Sequence, residues 1–274
     1  MTYQMKLSEG RIPENQGLSK TEFKKLLQAE MKFKTRSHNT YHNTHAPELK
    51  NRQAQLLKDS APNIASIGSS SVEKIQTPSP TNVPAAIDTV LIGDSMLERL
   101  KTTSAHTQIA HLPSSFNAGV GGDKIENVLY RLDLGMMDLL EEWNVKVWVV
   151  MVGTNNLKKT HHLLPVEVQS YRLLLQSLLS ISPRSQIIAC ELFKRKDVGD
   201  QYVEESNELL RGMLNDFDKN LGIGQRIHWM EAPLGITKEH LVDHVHLNEE
   251  GYRIWDQTLY VKLQELLGKL DTSE

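Results

Sequence analysis

The run VKVWVVMVG at residues 145–153 decides the fold. Apart from Lys146 it is apolar and rich in β-branched residues, and it stops at Gly153, so it reads as a strand buried on both faces. Working outward, IDTVLIG (87–93), SSFNAGV (114–120), SQIIACELF (185–193) and RIHWMEA (226–232) are weaker runs of the same kind. Helical patterns fall between them: SMLERLKTT (95–103), DKIENVLYRL (123–132), VEVQSYRLLLQSLL (166–179) and YVEESNELLRGMLNDF (202–217). A further one, EEGYRIWDQTLYVKLQELLGKL (249–270), follows the last strand. Strands flanked throughout by helices predict an α/β fold whose five-stranded parallel sheet is covered on both faces. In such sheets ligands bind beyond the carboxyl ends of the strands, so chemistry is expected just after each strand.

Of the 274 residues, 39% are hydrophobic and 24% charged, enough for one sizeable domain or two small ones at roughly 150 residues each. The polar residues are unevenly spread. Residues 1–85 hold 12 of the 31 Lys/Arg, 7 of the 34 Asp/Glu and 6 of the 10 prolines. The front is thus about +5 and residues 86–274 about −8, which gives the main domain no electrostatic case for binding nucleic acid. A single cysteine, Cys190, excludes an internal disulfide framework and a CxxC zinc site. No run approaches the ~18 apolar residues of a membrane span. The opening MTYQMKLSEGRIPENQ lacks the apolar core of a signal peptide, and Glu9 and Glu14 are unlike an acid-poor transit peptide. A cytoplasmic protein is expected.

The front reads as an N-terminal extension, helical or partly disordered, over residues 1–59. Ser19 and Glu22 fit a capping box opening a helix across FKKLLQAEMKF (23–33). Phe23, Leu26, Leu27 and Met31 form one stripe, with Lys20, Lys24, Lys25 and Lys32 near it. Such a helix either docks by its stripe on its own domain or meets a membrane surface or a protein partner. Residues 46–59 read as a second helix, and His38, His42 and His45, in a segment rich in Asn and Thr, as a solvated face. Residues 60–85 carry Ser69, Ser70, Ser71, Pro62, Pro78, Pro80 and Pro84, which is linker chemistry. The main domain is placed at 86–274, and a chain beginning near Ala85 is expected to fold alone.

Four short motifs lie in the loops that follow the expected strands: Gly93-Asp94-Ser95 ends the first, the stretch NAGVGGD from Asn117 to Asp123 follows the second, Gly153-Thr154-Asn155-Asn156 ends the third, and Asp243-His244-Val245-His246 follows the fifth. Together they hold the parts of an acyl-transfer site. A serine hydroxyl needs a positioned base to become a nucleophile, and a histidine suits. A carboxylate three residues before His246 can hold its Nδ1–H and leave Nε2 for the serine. N–H groups of a glycine-rich turn and an asparagine amide can meet a developing oxyanion. Each motif alone also has a plain structural reading: Ser95 as a helix N-cap, GTNN as a turn, Asp243 and His246 as a surface ion pair. The glycines at 119, 121 and 122 do not match a dinucleotide loop. Asp243, His244 and His246 resemble part of a metal site, but no fourth ligand is apparent, and neither a metal nor a cofactor is expected.

In this order and spacing the four motifs resemble the blocks of the SGNH (GDSL-type) hydrolases, and NAGVGGDKIENVLYRL and VVMVGTNNL are most similar to the intracellular platelet-activating-factor acetylhydrolase branch. The resemblance covers roughly residues 88–268. It implies a flavodoxin-like three-layer α/β/α sandwich and a serine esterase without cofactor. Ser95 would be the nucleophile, His246 the base and Asp243 its orienting carboxylate, with Ser95 N–H, Gly122 N–H and the Asn155 side chain as the oxyanion hole. Met96 and Val245, which flank the machinery, would narrow the acyl pocket to short, acetyl-sized groups on a lipid-like or small-alcohol ester. A carbohydrate O-acetylesterase and a partner-binding protein with vestigial activity are the alternatives. A homodimer is compatible with the sequence. His244 and the front of the chain have no counterpart in the family pattern.

Overall fold

A computed structural model describes residues 20–60, 86–221 and 225–271. Five parallel strands, β1 (Thr89–Gly93), β2 (Ser115–Gly119), β3 (Val147–Met151), β4 (Gln186–Cys190) and β5 (Ile227–Met230), form one sheet in the order β2-β1-β3-β4-β5. Every expected strand is present, and β1 pairs in parallel with both β2 and β3.

The nine helices described here are α1 (Lys20–Glu30), α2 (Thr35–Thr40), α3 (Ala46–Ser60), α4 (Ser95–Glu98), α5 (Ile125–Arg131), α6 (Met137–Glu141), α7 (Pro165–Ile181), α8 (Asp200–Leu221) and α9 (Glu249–Asp271). Alternation along the strands sends side chains to two separate cores. Val90, Ile92, Trp148, Val150 and Ile187 pack under α5–α8. Leu91, Val147, Val149, Met151 and Ile188 face the other way, onto α4 and onto Tyr252, Trp255, Leu259 and Leu263 of α9. The result is the expected α/β/α sandwich. β1 leads outward to β2, and the chain then returns across β1 to β3. That reversal leaves a crevice between the carboxyl ends of β1 and β3.

The helix over SMLERLKTT is shorter than its pattern. It passes into a 3₁₀ turn at Arg99–Lys101, where the Ser104 hydroxyl donates to Arg99 O at 2.8 Å and closes the end. Among the described residues no helix is long and apolar enough to cross a membrane.

The described part of the front, residues 20–60, contributes to the first core. Leu26 and Leu27 of α1 are 3% and 1% exposed, and Phe23 and Met31 pack partly buried against the same cluster. The stripe therefore docks on its own domain. α2 runs through a π-helical turn, Tyr41–His45, into α3. The inner face of this continuous run from α2 into α3 is Ser37, Tyr41, His45 and Leu49, one residue every four. His45 is thus not part of a solvated face: its ring lies edge-on to Phe116, 5.6 Å between centroids, and burial drives its pKa far down. The expected cap at Ser19 and the Ser/Pro-rich stretch after residue 60 lie outside the described residues.

These contacts revise the expectation for a chain beginning near Ala85. Removing α1–α3 uncovers apolar surface on α5 and α6 that is buried in the full chain. Such a fragment is expected to aggregate on expression. In the full chain, Leu27→Ala is expected to cost about 2–5 kcal/mol in urea unfolding; a change under ~0.5 kcal/mol, typical of a surface site, would show that α1 is not part of the core.

Candidate active site

Three of the expected site residues meet in one chain of hydrogen bonds. Ser95 is the first residue of α4, carried there by the turn that ends β1. That turn is tight because a Cβ at Gly93 would overlap the Met151 carbonyl of β3. His246 Nε2 lies 2.9 Å from Ser95 Oγ, and His246 Nδ1 lies 2.7 Å from Asp243 Oδ2. The other Asp243 oxygen accepts the N–H groups of Val245 and His246, each at 2.8 Å. The loop holding the two residues is itself pinned: Val242 N–H donates to His246 O, and Lys196 Nζ donates to Leu241 O. Burial works against the Asp243 charge, but the bonds from the His246 ring and the two N–H groups outweigh it and hold the carboxyl well below the usual range.

His244 points elsewhere, with Nε2 4.0 Å from Asp197 Oδ2. Asp197 in turn pairs with Arg195, whose Nη1 donates to Thr154 O at 2.6 Å and so braces the loop after β3. Neither Arg195 nor Asp197 is flagged by a sequence motif.

The other expected oxyanion residues lie on the loops after β2 and β3. Gly122 sits in the turn after β2 with φ +72, a conformation suited to glycine. Asn155 Nδ2 donates one hydrogen to Asp123 O at 2.9 Å, which fixes the amide and leaves its second hydrogen for another acceptor. Among the described residues nothing in the protein accepts from the N–H of Ser95 or of Gly122. Asn156, fully buried, caps α5 by accepting from Ile125 N–H at 3.1 Å. Val245 is 7% exposed beside His246, while Met96, at 1%, is enclosed in the core under α9. His161 and His162 turn their Nδ1 atoms toward carbonyls of their own loop. A groove of about 470 Å³ lined by His162, Glu205, Glu208, Leu209, Gly212 and Met213 includes none of the Ser95 neighbours.

The model of the GDSL-like lipase/acylhydrolase family matches residues 91–254. The chain belongs to this family. It is therefore a hydrolase. It is 26% identical over 192 residues to the platelet-activating factor acetylhydrolase IB subunit alpha1 of Rattus norvegicus, across 66% of this chain and 77% of that protein. With subunit alpha2 of Homo sapiens it shares 25% over 183 residues, 66% of this chain and 77% of that one. Among solved structures it is similar to an acetyl esterase mutant with acetate ion, at 17% identity and a TM-score of 0.49 over 67% of this chain and 99% of that one. A family 3 carbohydrate esterase of Clostridium thermocellum gives 13% and 0.49 over 67% and 98%.

The aspartate of the GDSL-like signature, Asp94, is fully buried. Its Oδ1 accepts Met96 N–H at 3.0 Å as the N-cap of α4, and its Oδ2 has no partner. Burial pushes the carboxyl from the ordinary 3.8 up to about 7, although the Met96 bond favours the charge. Between those values the folded protein keeps a proton that the unfolded chain has released, so this group makes stability fall as pH rises. Asp94→Asn keeps a capping oxygen and has no proton to lose. In urea unfolding between about pH 4 and about pH 7, the wild type is expected to lose stability relative to this variant as pH rises. Parallel pH profiles would show Asp94 to be charged in the fold.

Proposed function

We propose that the chain is a serine esterase that hydrolyses short-chain carboxylic esters, acetyl esters foremost, through an acyl-enzyme. The observation that carries this reading is the unbroken relay from Asp243 through His246 to Ser95, at 2.7 and 2.9 Å. As Ser95 Oγ attacks the ester carbonyl, His246 Nε2 takes its proton, and the Asp243 carboxylate holds Nδ1–H and stabilises the imidazolium. The carbonyl oxygen becomes an oxyanion, for which the Ser95 N–H, the Gly122 N–H and the second Asn155 amide hydrogen are the available donors. His246 then protonates the departing alcohol, and a water activated by the same nitrogen hydrolyses the acyl-serine. The acetyl preference draws on the named activity of the acetylhydrolase relatives, and on this reading Val245, next to His246, is the apolar side chain assigned to the acyl group. With Met96 enclosed in the core, the acyl pocket rests on Val245 and the loops.

The decisive experiment is an acyl-length series of p-nitrophenyl esters on the full chain together with Ser95→Ala. Turnover is expected to be greatest for acetate, and the variant is expected to lose both turnover and labelling by a fluorophosphonate. Undiminished labelling of the variant would move the nucleophile elsewhere.

His246 and His244 separate the two imidazoles of the motif. His246→Ala is expected to lower kcat by several orders of magnitude, whereas His244→Ala, whose ring faces Asp197, is expected to stay within about tenfold of wild type. Equal losses would mean that the two rings share the proton transfer.

A further inference from the structure

We propose that Lys34, from the segment between α1 and α2, is a positioning residue for acyl transfer: its ammonium fixes the peptide plane that carries the Gly122 N–H. The proposal rests on reading Gly122 as an oxyanion donor. Lys34 Nζ donates to Gly121 O at 2.9 Å and to Asp123 Oδ1 at 3.3 Å. The Gly121 carbonyl and the Gly122 N–H belong to one planar trans peptide and point in opposite directions. Clamping the oxygen therefore aims the hydrogen, and that hydrogen stays unclaimed by any acceptor among the described residues.

The turn needs such a clamp. Gly121 and Gly122 both lack a Cβ, so the peptide between them can rotate at little steric cost. Rotated, it would present a carbonyl oxygen where the donor is wanted, and an oxyanion would be repelled. Lys34 covers this peptide closely: a Cβ at Gly122 would come within 3.0 Å of its Nζ. The segment that carries Lys34 is itself anchored at several points. Lys32 pairs with Glu126 at 2.9 Å, Arg36 with Glu98 at 2.9 Å, and Ser37 Oγ donates to Asp123 at 2.5 Å. The ammonium is thus held in place, and its charge next to the turn also favours negative charge developing nearby.

The single cysteine makes a selective test available. Cys190 is 2% exposed and burial pushes its thiol up, so in Lys34→Cys the new thiol is the one open to 2-bromoethylamine, which rebuilds a lysine-like amine. In the full chain, Lys34→Cys and Lys34→Met are expected to lower kcat on a soluble acetyl ester by about ten- to a hundredfold with KM within about twofold, and aminoethylation is expected to restore kcat. Their unfolding midpoints should fall modestly, because Lys34 also donates to the buried Asp123 carboxylate, and aminoethylation should restore them with kcat. Hydrogen exchange gives a readout independent of chemistry: the Val120 and Asp123 amides, bonded to Gly93 O and Val120 O, should exchange faster in Lys34→Met while β1 stays protected. A kcat within about twofold of wild type in Lys34→Met, no recovery on aminoethylation, or unchanged exchange overturns the proposal. A wild type inactive on every ester instead sinks the esterase reading, and exchange alone then decides the role of Lys34.

Discussion

The geometry around Ser95 is referenced to one buried ion pair, Asp123 with Arg131. Both side chains are fully enclosed and meet at 2.9 Å. A pair so placed is costly to desolvate and is stable only when its remaining hydrogen-bonding groups are satisfied. Here they are, and the partners are informative. Arg131 donates to Ala118 O and Gly93 O, carbonyls at the ends of β2 and β1. Asp123 accepts from Ser37 and Lys34 as well, and its backbone carbonyl takes the Asn155 amide. Two strand ends, the front segment and the loop after β3 are thereby fixed to one point. Losing either member would leave a buried charge unpaired, at about 3–5 kcal/mol, and would release all three at once.

Much of this was legible in the sequence. The five strands, the long helices α7–α9 and the parallel sheet follow from apolar periodicity, because those segments bury whole faces and their patterns have large amplitude. The four motifs at the strand ends located Ser95, Asp243 and His246, which the structure joins. The α2 helix and the π-helical turn after it were not legible: their inner face is Ser37, Tyr41 and His45, two of which are polar, so no apolar period stands out. Arg131 and Asp123 sat in view, but their pairing depends on burial, and charged residues on a helix ordinarily read as solvated. Asn156 and Arg195 likewise act by capping and bracing at contacts that only the fold creates. The front read as an appendage because its polar composition outweighed four apolar residues at helical spacing, and those residues are the ones that dock.

Two aspartates near Ser95 show how environment divides one side-chain type into two roles. Asp94 lies in the interior with a single backbone donor and holds its proton up to about 7. Asp243, on an exposed loop, gathers a ring nitrogen and two N–H groups and stays ionised well into acid. The first acts as a neutral cap for the helix that begins at Ser95. The second is a carboxylate 2.7 Å from His246 Nδ1, which in the proposed mechanism stabilises the protonated ring.

The separation of Ser95 from His246 by 151 residues has a consequence for synthesis. At ~5–20 residues per second, translation makes the imidazole roughly eight to thirty seconds after the hydroxyl. The long helix that shares with α4 the cover of one face of the sheet, α9, comes later still. While the chain grows, Leu91, Val149 and Ile188 lack their cover, and Ser95 is an ordinary alcohol with no base beside it. On the proposed esterase reading the emerging chain is inert at this serine until His246 arrives, and α9 then helps to close the core around it.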